Sequence, residues 1–253
     1  MDTTPLIRNS YNERIDTFVE GNEKSLITVV MVHGLGTDKH ETAGLFDDIT
    51  TALIDKYRIV RFDFSGFGKS EGKMEEFDYH KHAEDLKAVL EYVKQTYKGT
   101  TYVIAQSMGC FITSLLCPQD IVKTVFTGIP NTNTEYIVDR LIKRITLRPG
   151  GHIDLRGISL IPRSSGVVQK FGPQFWKTLK EFNPVTSVSD FAKNTNLLII
   201  HPKQDDVVGL EFQEEYDTIP NIKVEWINGD HSFKKPEDRL ILIERIKQFF
   251  IDK

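Results

Sequence analysis

The stretch Thr101-Tyr-Val-Ile-Ala-Gln-Ser-Met-Gly109 reads as a strand, a tight turn at Ser107 and a helix that begins near Met108. A turn this tight holds its serine in a strained backbone conformation and lifts the hydroxyl above the sheet. The positions two before and two after must be small, because strand and helix pack closely there; they are Ala105 and Gly109. Alone, small-x-Ser-x-small also describes an ordinary serine at a helix N-cap, so the surrounding elements decide between the two.

Outward from this turn, β-rich runs alternate with amphipathic stretches. Ser25 to Val32 and Arg58 to Asp63 are strand-like, and so are Val122 to Thr127, Asn196 to His201 and Lys223 to Ile227. Between the first two, Phe46, Ile49, Leu53 and Ile54 recur at helical spacing. From Tyr79 to Tyr97 the apolar positions Ala83, Leu86, Leu90, Val93 and Tyr97 step by three or four, and Gly99 stops the run. A last helix is expected from about Pro236 to Ile251, with Leu240, Ile243, Ile246 and Phe250 on one face. Apolar strands joined by helices predict an α/β fold with a mostly parallel sheet covered on both faces. Functional residues then belong in the loops beyond the strands' carboxyl ends. Residues 130–193, rich in Gly, Pro and Arg, break the rhythm and read as an insertion into a single 1–253 domain.

Composition bounds the function. Of 253 residues 40% are hydrophobic and 27% charged, which excludes disordered and collagen-like chains. A net charge of −4 gives no reason to expect a nucleic-acid partner. The apolar stretch Leu26 to Val32 is far short of the roughly 20 residues needed to span a bilayer. Met1-Asp2-Thr3-Thr4-Pro5 lacks the basic start and apolar core of a secretion signal, so a cytoplasmic protein is expected. Cys110 and Cys117 lie seven apart on the expected helix, a rise of roughly 10 Å, beyond disulfide reach; both read as buried small residues, not as metal ligands.

Three chemistry-bearing residues fall at strand ends in the order Ser107, Asp205, His231. His33-Gly34-Leu35-Gly36 follows the first strong strand, where a loop can offer a backbone N–H to a developing oxyanion. Asp63 to Gly68 follows the next. Asp205-Asp-Val-Val208 follows the strand at 196–201, and Gly229-Asp-His231 the strand at 223–227. Gly34-Leu-Gly36 does not complete a dinucleotide fingerprint, since position 39 is Lys, and Gly68-Lys69-Ser70 lacks the first glycine of a phosphate loop. Of the other histidines, His33 reads as a brace for its loop, His40, His80 and His82 as surface groups, and His201 as a packed or loop-bracing side chain.

These five motifs, in this order on these elements, resemble the α/β-hydrolase family over nearly the whole chain, from about Leu26 onward. Ala105 departs from the family's usual glycine by one methyl. The segment between Thr127 and Asn196 looks like the short cap of bacterial feruloyl/cinnamoyl esterases and of serine aminopeptidase-like relatives. The resemblance implies an α/β-hydrolase fold with a small inserted cap at 130–193, and hydrolysis of carboxylic esters with small to medium acyl or aryl groups. It implies Ser107 as nucleophile, His231 as general base and Asp205 as the residue that orients it, with the N–H groups of Leu35 and Met108 as oxyanion hole. Asp205 fits the family's acid by lying three before Val208, leaving Asp206 as a flanking carboxylate. No cofactor and no metal are implied; the partner is a small-molecule ester. Aminopeptidase-like or thioester cleavage on the same machinery, and a non-catalytic ligand-binding protein on the same fold, are the alternatives. Substrate-binding residues are not assigned, and the oligomeric state is left open between monomer and homodimer.

Residues 130–193 carry ten Lys and Arg against five Asp and Glu, a local +5. A basic lid would steer anionic esters, and a solvated helix face would carry the same charge. The aromatics Phe171, Phe175, Trp176 and Phe182 could line an acyl pocket or form the insertion's own core.

Overall fold

The computed structural model describes residues 5–163 and 166–252. Residues 1–4, on which most of the secretion-signal reading rests, lie outside them. In chain order the elements are β1 (Ile7–Arg8), β2 (Arg14–Ile15), β3 (Thr17–Gly21), β4 (Ile27–Val32), α1 (Leu45–Leu53), β5 (Arg58–Phe62), α2 (Tyr79–Thr96), β6 (Thr100–Gln106), α3 (Met108–Leu116) and β7 (Ile121–Thr127). Then come α4 (Thr134–Thr146), β8 (Ser159–Pro162), β9 (Val168–Phe171), α5 (Pro173–Glu181), α6 (Pro184–Ala192), β10 (Asn196–Pro202), β11 (Ile222–Ile227) and α7 (Pro236–Ile251).

Seven strands form one sheet in the order β11-β10-β7-β6-β4-β5-β3. All neighbours run parallel except β3, which pairs antiparallel with β5. The central strands β4, β5, β6, β7 and β10 are buried on both faces and largely apolar, so their two-residue period sorts side chains between two cores, whereas the edge strands β3 and β11 are only part-buried. Val30 and Val32 of β4, Val103 and Ala105 of β6 and Leu197 and Ile199 of β10 face the side covered by α2, α3 and α6. Val29 and Met31, Tyr102 and Ile104, and Leu198 and Ile200 face the side covered by α1 and α7. Among the described residues no helix is long and apolar enough to cross a membrane.

The segment between β7 and β10 folds as α4, the antiparallel hairpin β8–β9, α5 and α6. Phe191 of α6 stacks on Phe126 of β7, 5.8 Å between ring centres, so α6 is part of the sheet's own cover. Phe171, Phe175, Trp176 and Phe182 join the core of that same face rather than forming a separate one.

Two local expectations change. Leu240 is 63% exposed, and Leu242 is buried in its place beside Ile243, Ile246 and Phe250. At 100° per residue Leu240 lies roughly 100° from the centre of that stripe, although its spacing from Ile243 is helical. His82 is not a surface group: its ring is fully buried, stacked on Phe64 at 4.3 Å and on Phe77 at 4.8 Å. Its polar neighbour Lys81 is buried as well, held 2.8 Å from Glu13, so hydrophilic neighbours misreport this turn of α2. His40 and His80 are exposed. Cys110 is buried and Cys117 half-buried, both as free thiols.

Candidate active site

Parallel strands β4, β6, β10 and β11 deliver their following loops to one edge of the sheet. At the end of β6, Ser107 has φ 55° and ψ −124°, a backbone conformation few non-glycine residues adopt. Its N–H donates to Thr127 O at 3.0 Å, which ties the turn to β7. A Cβ on Gly109 would sit 2.4 Å from Val32 O, so only glycine lets α3 approach β4 this closely. Ala105, the departure from two flanking glycines, is accommodated fully buried.

His231 and Asp205 meet across two loops, with His231 Nδ1 2.7 Å from Asp205 Oδ2. A carboxylate only accepts, so Nδ1 carries a proton, and in the neutral ring Nε2 is the nitrogen free to accept one. Asp205 Oδ1 accepts the N–H groups of Val207 and Val208, both at 2.9 Å. Both carboxylate oxygens are thus held by donors. Asp206 is exposed, and among the described residues its carboxylate accepts no hydrogen bond; its main-chain carbonyl accepts from Arg140 and Arg144. Ser107 and His231 line the same cleft. Among the described residues neither the Ser107 hydroxyl nor His231 Nε2 has a hydrogen-bond partner.

Several supports were not assigned from sequence. Gln106 Nε2 donates to His231 O at 2.7 Å, while its Oε1 accepts from the Thr127 hydroxyl. Gln204 joins the two loops through Gly229, whose N–H reaches Gln204 Oε1 at 2.6 Å. A Cβ on Gly128 would lie 3.1 Å from the His231 ring. The only hint of these in the sequence is their position beside the motif residues, because their partners lie about 20 to 125 positions away in the chain.

The loop after β4 is braced from below. Phe64 N–H donates to His33 Nε2 at 3.0 Å, so His33 carries its proton on Nδ1 and donates it to Gly34 O at 2.8 Å. The Gly34 N–H is taken by the Glu41 carboxylate at 2.6 Å. In a planar trans peptide C=O and N–H point in opposite directions, so fixing Gly34 O aims the Leu35 N–H the other way. Among the described residues, the N–H groups of Leu35 and Met108 donate to nothing, and both residues line the cleft. The cleft has a volume of about 1090 Å³. Phe171 and Phe175 line it, whereas Trp176 and Phe182 are core. No cluster of three His, Cys, Asp or Glu able to hold a metal occurs among the described residues.

His201, at the end of β10, is packed as expected, 4.5 Å from the Trp226 ring and 6.0 Å from Tyr216. Neither of its ring nitrogens has a partner, and burial pushes its pKa down to about 4. A histidine held neutral in the fold gives stability above the unfolded value of about 6.5 that is lost as pH falls toward 4. At pH 5 that loss is about 2 kcal/mol. His201→Phe removes both unpaired nitrogens, so its melting temperature is expected to exceed the native one by about 2–4 °C at pH 7 and by more at pH 5. Thermal melts at the two pH values check this; a variant melting lower than the native chain at pH 5 contradicts it.

Residues 27–140 match the family described as "alpha/beta hydrolase fold". No curated protein sequence matches the chain. Among solved structures, Est1E from Butyrivibrio proteoclasticus with bound ferulic acid superposes with a TM-score of 0.76 at 16% identity, covering 98% of each chain. An esterase of Pyrococcus furiosus gives 0.74 at 19%, covering 99% of this chain and 90% of its own. The esterase domain of a Rhodothermus marinus protein gives 0.69 at 18%, covering 98% and 97%. Sheet topology along the whole chain and the family match over 27–140 together make this an α/β-hydrolase-fold protein.

Proposed function

We propose that the protein is a serine hydrolase of carboxylic esters, working through an acyl-enzyme. The observation that carries this reading is the Asp205–His231 hydrogen bond beside a serine on a strained turn. Ser107 Oγ attacks the ester carbonyl carbon as His231 Nε2 takes its proton, and the oxygen of the tetrahedral intermediate lies against the Leu35 and Met108 N–H groups. Collapse breaks the bond to the alcohol oxygen, which leaves with the proton from His231. Water, deprotonated by the same Nε2, then releases the acid and restores Ser107. Asp205 keeps the imidazole in the tautomer this cycle needs and stabilises its charged form. No metal or cofactor enters the cycle.

Residues 130–193 act in this reading as a cap, with α4 and the β8–β9 hairpin over the cleft. Leu35 and Leu141, backed by the buried rings of Phe171 and Phe175, give its acyl wall an apolar surface suited to small or medium acyl and aryl groups. A 4-nitrophenyl ester series of rising acyl length, run beside amino-acid 4-nitroanilides, tests the proposal. Turnover of short and medium esters supports it; release of nitroaniline without ester turnover supports the aminopeptidase alternative, and turnover of neither removes the enzymatic reading.

A further inference from the structure

The cleft wall contributed by the cap carries four arginines. Arg140 and Arg144 lie one helical turn apart on α4, Arg148 follows its end, and Arg163 extends from the end of β8. All four line the cleft and all are half-buried. None forms an ion pair with a carboxylate of any described residue, although surface arginines elsewhere in this chain, such as Arg8 and Arg245, do.

What each guanidinium touches is main chain, a neutral amide or, for Arg140 Nη1 at 3.3 Å, the Tyr136 hydroxyl. Arg140 reaches Val207 O at 2.8 Å and Asp206 O at 2.6 Å, and Arg144 also reaches Asp206 O. Arg148 reaches Pro162 O at 2.7 Å. Arg163 donates to Gln169 and, at 3.4 Å, to Leu35 O. Arg144 and Arg148 each commit one nitrogen, leaving most of their five N–H donors without an acceptor. The nearby carboxylate of Glu41 is occupied by the Gly34 N–H and the Thr37 hydroxyl. A concave wall with this much unpaired positive charge is what a bound anion satisfies, because planar guanidinium groups bind carboxylate and phosphate through paired N–H donors.

We propose that this arginine wall recognises an acidic group, carboxylate or phosphate, on the ester that Ser107 cleaves. The proposal rests on the esterase reading for its catalytic half and on the arginine geometry for its binding half. Burial, with Arg148 and Arg144 close by, lowers the Arg163 pKa to about 10, so it keeps its charge at neutral pH while repelling its neighbours. An anion between them relieves that repulsion. The position also fits: Arg163 touches the loop that carries the Leu35 N–H, and Arg140 and Arg144 touch the loop that carries Asp205. An acidic group held here would sit across the cleft mouth from the ester carbonyl.

Two measurements separate the halves. Binding of benzyl hemisuccinate, benzyl butyrate and 2-(butyryloxy)ethyl phosphate to the Ser107→Ala protein, by calorimetry, reads the site without turnover. The acidic esters are expected to bind at least tenfold tighter than the neutral one in 20 mM NaCl, with the gap narrowing in 500 mM NaCl; which acidic ester binds tighter identifies the group. In the native protein the kcat/KM ratio of hemisuccinate to butyrate should exceed ten, and Arg148→Gln should cut that ratio about tenfold. Arg148 is the residue of choice because its recorded bond stays within the cap, away from the Asp205 loop; Arg163→Gln is the second variant should the first fail to fold. Tighter binding of acidic esters with no hydrolysis of any ester retains the arginine site and removes the esterase reading. Equal affinity for acidic and neutral esters, unaffected by salt, overturns the site.

Discussion

Ser107→Ala is expected to lower kcat on a 4-nitrophenyl ester by about 10⁶-fold, the size of loss seen when a triad serine is removed elsewhere. In the proposed mechanism the Ser107 hydroxyl is the group that His231 activates, and both residues line the same cleft. The proposed mechanism also places the oxygen of the tetrahedral intermediate near the Leu35 and Met108 N–H groups, in reach of attack from position 107 at the N-terminus of α3. The turn is held by main-chain contacts, Ser107 N–H to Thr127 O and Cys110 N–H to Ser107 O, which alanine retains. The melting temperature should therefore change little while turnover disappears. A variant that keeps more than a few per cent of native kcat contradicts the assignment.

Asp205→Asn should cost about 10⁴-fold in kcat, by analogy with the same change in a serine protease, and Asp206→Asn less than threefold. In the native protein one oxygen of Asp205 accepts two backbone N–H groups and the other accepts His231 Nδ1–H. An asparagine keeps its oxygen on the two N–H groups and turns its NH₂ toward the ring. Nδ1 must then accept, the imidazole proton moves to Nε2, and the base is in the wrong tautomer to take the Ser107 proton. Among the described residues the Asp206 carboxylate accepts no hydrogen bond and acts on Arg144 only through its charge, so its change leaves this arrangement alone. Steady-state kinetics of the two single variants decide between the neighbours, and a larger loss at Asp206 overturns the choice.

Much of this arrangement was legible in the sequence because it depends on local rules. A buried parallel strand must be apolar on both faces, so β4 to β7 and β10 announced themselves, while the half-buried edge strand β11 showed through its β-branched and aromatic residues; the residues just past these strands' ends were the ones to inspect. The tight turn at Ser107 was legible because strand and helix packing this closely need small residues at 105 and 109, here Ala105 and Gly109. What stayed hidden depends on distant partners. β3 shows only a weak alternation and joins the sheet because β5 presents a free edge. His82 is buried by Phe64 and Phe77, which approach from other loops. Gln106, which ties His231 to β6, lies next to the motif serine but has a partner 125 positions away. The positive charge of 130–193 could be counted in advance; which arginines face the cleft depends on how α4 crosses it.

Labelling with a fluorophosphonate, followed by peptide mass mapping, tests the central claim most directly. The reagent phosphonylates a serine only where an adjacent base removes its proton and an oxyanion site accepts the developing charge. One label per chain is expected, carried on Ser107 and lost in His231→Ala. An unmodified protein, or a label on any other residue, would contradict it.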